Sequence, residues 1–318
     1  MADMTAGSLK RARPIGARFD SVFRILCLSA ATMLLAAIAG VLVSLLIGGW
    51  PAFSKFGLKF FTSTVWNPVT EDYGGAGPIV GTLITATLAL LIALPLAFGV
   101  AVYLTEFCPR ALRRPIGTAV ELLAGVPSIV YGMWGLFVLA PLFAKYVELP
   151  MMAAAPPGSI WETLFSGVPN GSGLLMASVI LAIMILPYIA ATLRELFLTV
   201  PVKLRESAYG VGCTSLEVVW SVTLPHVRKS AIGAVMLGLG RALGETMAVT
   251  FVIGNSHGFP TGLFDGGSTI ASTIANEFAE ATSDMHTSAL LALGFVLFLI
   301  TFAVLAIART LLGQRDHA

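Results

Sequence analysis

The chain has 318 residues, of which 57 % are hydrophobic and 11 % charged, and its formal net charge is +2. Soluble domains carry about 25 % charged residues, so this composition, with a mean hydropathy of +0.88, excludes a soluble globular protein and implies an integral membrane one. The small net charge gives no ground for nucleic-acid binding, and the scattered Cys27, Cys108 and Cys213 show neither disulfide nor metal-site spacing.

The polar, basic start reads as a cytoplasmic tail, 1–24. A bilayer span needs about 20 mainly apolar residues, and 25–47 supplies the first. Ala37-Ile38-Ala39 has the small-x-small form of a signal cleavage site, but the apolar run continues to Ile47, which favours an uncleaved first helix. Further runs at 79–104, 119–143, 174–193, 231–253 and 289–312 qualify, several with an internal proline (Pro95, Pro127, Pro187). Membrane helices tolerate proline where neighbours satisfy the freed carbonyls. The expected fold is an all-α integral membrane protein with six transmembrane helices over 25–312 and a short tail at 313–318.

Of the 19 Lys and Arg residues, most lie in the tails and in the loops that hold Arg110–Arg114 and Arg194–Lys229. Only Lys55, Lys59 and Lys145 fall on the other side, and Arg241 falls within a span. Positive charge marks the cytoplasmic side, so both termini are placed there. Trp50, Trp66 and Trp161 lie in or beside outer loops, as interfacial aromatics do.

The inner loop 200–229 has apolar residues at helical spacing, is bracketed by Pro201 and Pro225, and is interrupted by Gly210 and Gly212. Two short helices with a turn between them are predicted. The span that follows carries Arg241 about 15 Å from its start at Ala231, near mid-membrane, with Glu245 four residues on. Each charge costs roughly 2.5–3.5 kcal/mol at that depth, so both are expected to face the bundle interior or a wet path. Two readings stand: a buried ion pair at i, i+4 that helps assembly, or groups lining an anion route, with Thr246 and Thr250 as weaker additions because membrane threonines tend to bond their own backbone. Gly240 and Gly244 read as a small-residue packing seam. In the outer loop 254–286, Ile270, Ile274 and Phe278 predict a short amphipathic helix, either lying on the membrane surface or forming part of an outer gate or docking face.

Glu206-Ser207-Ala208, three residues, Gly212, nine residues, then Val222-x-Leu224-Pro225 resembles the "EAA" loop of ABC-importer permeases, with Ser207 and Val222 as mild departures. "GVPSIVYGMWGLF", "ILPYIAATLRE", "ANEFAEA" and "GLGRALGETMAVTFVIGN" are similar to the phosphate-specific permeases of the PstC type. The resemblance runs from about Trp50 to the last helix. It implies a type I ABC-importer permease architecture that moves inorganic phosphate across the inner membrane. It also implies that Glu206, Ser207, Ala208, Gly212, Leu224 and Pro225 dock in a groove of an ATPase. The implied partners are a homologous permease (PstA type), two ATPase subunits (PstB type) and a periplasmic phosphate-binding protein (PstS type), with ATP and Mg bound on the ATPase. The chain contains no G-x-x-x-x-G-K-[ST] of its own, so no cofactor and no catalytic residue are expected in it. The alternatives are a proton-coupled secondary anion transporter, against which the absence of an evident internal repeat counts, and an ABC permease for phosphonate, sulfate or molybdate.

Overall fold

The structure, a computed structural model, describes residues 17–313; positions 1–16 and 314–318 of the expected tails lie outside them. The chain divides into two compact units, residues 1–47 and 48–318. The described part of the first unit belongs to one helix, α1 (Ala17–Phe56). Its apolar side chains from Val22 to Ile47 are almost all exposed, the pattern of a helix solvated by lipid.

Among the described residues, five helices are long and apolar enough to cross a bilayer: Val22–Phe56, Ala76–Phe107, Ser128–Ala154, Leu174–Leu198 and Asp284–Thr310. The chain is a multi-pass membrane protein. Two of the six expected spans differ. The run at 119–143 is divided: an amphipathic helix, α3 (Arg110–Ala124), ends at Gly125, and the span itself starts after Pro127. Proline pushes the residue before it out of the helical region, which separates the two. The run at 231–253 is also broken, as described below.

The second unit is built on α2 (Ala76–Val102) and α5 (Leu174–Leu198). Ala86, Ala89, Ala93, Ala97 and Ala101 form a fully buried stripe on α2, facing a core that includes Ile180, Met184, Ile185 and Ile189 of α5. Lipid gives apolar side chains no reason to leave it, so membrane helices associate through close backbone packing, which small residues permit. Leu91 and Leu96 of α2 are exposed. α4 (Ser128–Ala154) contains two π-helical turns, Gly135–Leu139 and Ala144–Glu148. Two more occur at Tyr103–Phe107 and Val219–Thr223. Each of the four ends two residues before a proline: Pro109, Pro141, Pro150 and Pro225. Proline has no N–H for the carbonyl four residues back and its ring crowds that oxygen. In each case that carbonyl lies in the π turn, whose wider winding relieves the clash.

On the outer side, β1 (Trp66–Asn67) and β2 (Asp72–Tyr73) form an antiparallel ribbon with Trp66 opposite Tyr73, too short to show a period in the sequence. Backbone carbonyls of Val252, Asp265 and Leu263 accept from Gly173, Leu174 and Leu175 at 2.9, 3.2 and 2.9 Å. The outer loop thereby satisfies amides at the start of α5 that have no intrahelical partner.

Candidate functional site

The inner loop folds as its spacing predicts, into a helix–turn–helix. Pro201 opens α6 (Val202–Gly210), and Gly212 turns the chain at φ +94°. Thr214 then caps α7 (Ser215–Val218) in a reciprocal box: Glu217 Oε2 accepts from Thr214 N at 2.7 Å and from its hydroxyl at 2.9 Å. Those bonds hold the exposed Glu217 carboxyl below its ordinary value, the backbone amide first. Ala208 is buried, while Glu206 is exposed and makes no hydrogen bond or ion pair among the described residues. Around it, Val202, Tyr209, Val211, Leu216 and Trp220 expose apolar surface.

Pro225 does not end the second helix. The π turn Val219–Thr223 absorbs it, and α7 runs on into α8 (Leu224–Leu243). One helical rod therefore extends from residue 215 to residue 243. It stops at Gly244, and a separate α9 (Met247–Val252) resumes after Thr246. The amides of Gly244 and Glu245 reach Gly240 O and Ala242 O only at 3.4 Å, long for hydrogen bonds.

The break separates the two charges. Arg241, in the last turn of α8, lies over the Tyr188 ring of α5 at 5.8 Å. Glu245 sits in the gap, where its Oε1 accepts from Ala248 N at 3.3 Å. No ion pair joins them, because the i, i+4 relation requires a continuous helix. Both side chains are half-buried. Thr250 donates its hydroxyl to Thr246 O at 2.8 Å, and Thr246 donates to Gly244 O at 3.4 Å, so both O–H groups are directed to backbone. The expected Gly240–Gly244 seam does not form within this chain. A Cβ on Gly238 would meet Ile189 at 2.6 Å, whereas Gly240 faces open space.

The outer side holds a cluster of which only Glu277, in the stretch "ANEFAEA", falls within a sequence motif. His257 Nε2 lies 3.0 Å from Glu277 Oε1, and His286 Nε2 lies 3.1 Å from Glu277 Oε2. Trp66 stacks on His257 with centroids at 5.4 Å, and Tyr73 stacks on His286 at 5.1 Å. Burial raises the Tyr73 phenol above its ordinary value, opposed by the neighbouring Ser283 side chain. Glu277 ends α10 (Ile270–Glu277), the helix predicted from Ile270 and Ile274. Ile270, Ser272 and Thr273 are buried in protein, so one face of this helix packs into the fold. Five residues from four separated segments make the cluster, and only the tertiary fold brings them together.

The sequence profile of the family described as "Binding-protein-dependent transport system inner membrane component" matches residues 93–315. The phosphate transport system permease protein PstC of Mesorhizobium japonicum is 55 % identical over 299 residues, covering 93 % of this chain and 91 % of that protein. The PstC of Pasteurella multocida is 54 % identical over 275 residues, covering 86 % of each. A bacterial alginate ABC transporter, solved in complex with its pentasaccharide-bound periplasmic protein, has a chain of the same fold. The TM-score is 0.60 at 15 % identity, over 94 % of this chain and 98 % of that one. A second structure of a bacterial alginate importer gives 0.56 at 18 % identity.

Proposed function

The chain belongs to the family of binding-protein-dependent transport system inner membrane components, and on that premise we propose that it is the permease subunit of an ATP-driven importer of inorganic phosphate. Its relatives are phosphate transport permeases across most of their length. It lies in the bacterial inner membrane with both termini cytoplasmic, the side favoured by its Lys and Arg residues. Its partners are a homologous permease of the PstA type, two ATPase subunits of the PstB type that carry ATP and Mg, and a PstS-type periplasmic phosphate-binding protein.

The observation that carries the mechanism is the rod from 215 to 243. From Pro225 to Arg241 it measures about 24 Å at 1.5 Å per residue. The ATPase docks on Glu206, Ser207, Ala208, Gly212, Leu224 and Pro225, and its closure moves the rod. Arg241 rides at the far end of that rod, so docking and substrate route share one rigid element. Its guanidinium is always charged and matches phosphate oxygens. Glu245, bonded to one amide, keeps acceptor capacity for a phosphate hydroxyl, which sulfate lacks. Glu245→Gln is therefore expected to weaken discrimination against sulfate; unchanged discrimination removes that role from Glu245.

Uptake of labelled phosphate, in cells whose only phosphate route depends on this chain, tests the reading. With the proton gradient collapsed and ATP held up by glycolysis, uptake is expected to persist. Loss of uptake under those conditions would overturn the ATP-driven reading.

A further inference from the structure

The rod links the docking loop to Arg241, and near the loop it packs on the α2–α5 block only through apolar contacts, Trp220 lying 5.5 Å from the Phe98 ring of α2 and Val219 sharing a buried cluster with Phe197 of α5. A second link to that block is polar. The π turn Tyr103–Phe107 at the end of α2 turns Glu106 inward, leaving its side chain 6 % exposed. Arg205 of α6 brings Nη1 to 3.0 Å from Glu106 Oε1. The same guanidinium donates from Nη2 to Phe197 O, in the last turn of α5, at 2.5 Å. Tyr209, also on α6, donates its hydroxyl to Glu106 Oε2 at 3.3 Å. The Arg205–Glu106 contact is a close ion pair off the line of a hydrogen bond: Glu106 Oε1 and Arg205 Nε have no hydrogen-bond partner although both are buried.

Among the described residues, no other hydrogen bond or ion pair joins α6 to this block. Thr199 and the Val200–Pro201 step lie between α5 and α6, with Pro201 in extended backbone at ψ 129°. A buried charge pair resists separation, because parting it leaves a charge without water or partner. Glu206, the next residue after Arg205, points outward, so one turn of α6 presents one face to a partner and the other to Glu106.

We propose that Glu106 and Arg205 form a coupling strut, which fixes the docking helix to the α2–α5 block so that ATPase closure moves the block together with the rod. They are positioning residues and touch neither phosphate nor ATP. This rests on the importer reading above. Cutting the strut leaves the docking face intact and lets α6 move without the block, so ATP is hydrolysed without transport.

The test uses the complete transporter, with its partner permease, ATPases and phosphate-binding protein, in proteoliposomes. ATP hydrolysed and labelled phosphate taken up are measured on the same sample. Wild type must show ATP-dependent uptake; without it the importer reading fails and the strut falls with it. Given that control, Glu106→Gln is expected to assemble and to hydrolyse ATP while phosphate moved per ATP falls roughly tenfold, the scale of a coupling contact. The exchange Glu106→Arg with Arg205→Glu is expected to restore most of the ratio. A purely structural role would lower the amount of assembled transporter and leave the ratio unchanged, and that result overturns the proposal. If Glu106→Gln does not assemble, Arg205→Lys decides: a reduced ratio supports the strut and a wild-type ratio refutes it.

Discussion

Replacing Gly81 with alanine tests how tightly the outer loop is seated on α2. A Cβ at Gly81 would lie 2.1 Å from the carbonyl oxygen of Ser268, where ordinary contact begins at 3.4 Å. The obstacle is backbone, so the loop must withdraw by about 1.3 Å rather than swing a side chain aside. Ser268 leads directly into α10, whose first amide, on Ile270, donates to Thr82 Oγ1 at 2.9 Å in a buried site. Thr82 lies one residue from Gly81, so the withdrawal also opens that bond. Overpacking costs about 1–3 kcal/mol, and a buried amide left without its acceptor about 1–3 kcal/mol more. The two share one loop and do not simply add, so the expected destabilisation is about 2–5 kcal/mol. At about 2–4 °C per kcal/mol for a chain approaching this size, the melting temperature in nanodiscs should fall by roughly 4–20 °C. Thr82→Val separates the terms, since it removes the acceptor without crowding the loop and should cost only the second. A Gly81→Ala protein that melts with wild type would refute the close approach.

Arg241→Lys keeps the charge but loses the planar fork, so the apparent affinity for phosphate in uptake should weaken roughly tenfold, the worth of about 1.4 kcal/mol; unchanged uptake would remove Arg241 from the route. Gly212→Ala forces a side chain into φ +94° at a cost of about 1–2 kcal/mol. Titrating the ATPase onto the permease should then show binding weakened roughly 5- to 30-fold. Thr269→Ala removes the hydroxyl that accepts from Ser272 N at 3.1 Å; loss of such a cap costs about 1 kcal/mol, read as faster amide exchange in the first turn of α10. Tyr73, with its phenol raised from 10.0 by burial, contributes stability that is whole below about pH 10 and is lost as pH rises through the folded value. Tyr73→Phe should flatten that alkaline loss in denaturation midpoints taken across the range; an unchanged slope would show that another group causes it.

The membrane class, four of the spans and the helix–turn–helix of the inner loop were legible in the sequence. Their signals are local: length of apolar run, helical spacing, and Pro and Gly at the ends. The π turns were half-legible. Pro109, Pro141, Pro150 and Pro225 mark them, but Pro95 and Pro187 sit in helices without one, so proline alone does not announce a wider turn. Pro225 misled for the same reason, since it reads as a boundary and instead lies inside a continuous rod.

By itself, the sequence determined that Arg241 and Glu245 lie deep in the membrane, because depth follows from counting residues at a fixed rise. Tertiary structure alone decided that they part. Gly244 gives the helix a weak point, and the packing of α9 in the bundle, with Ala248, Val249 and Val252 fully buried, holds the far side of the break in place. The same holds for the contacts of Glu106 with Arg205 and of Glu277 with two histidines. Each joins residues between nine and 99 positions apart (Glu277 to His286, and Glu106 to Arg205), and neither periodicity nor spacing encodes a distance across a fold.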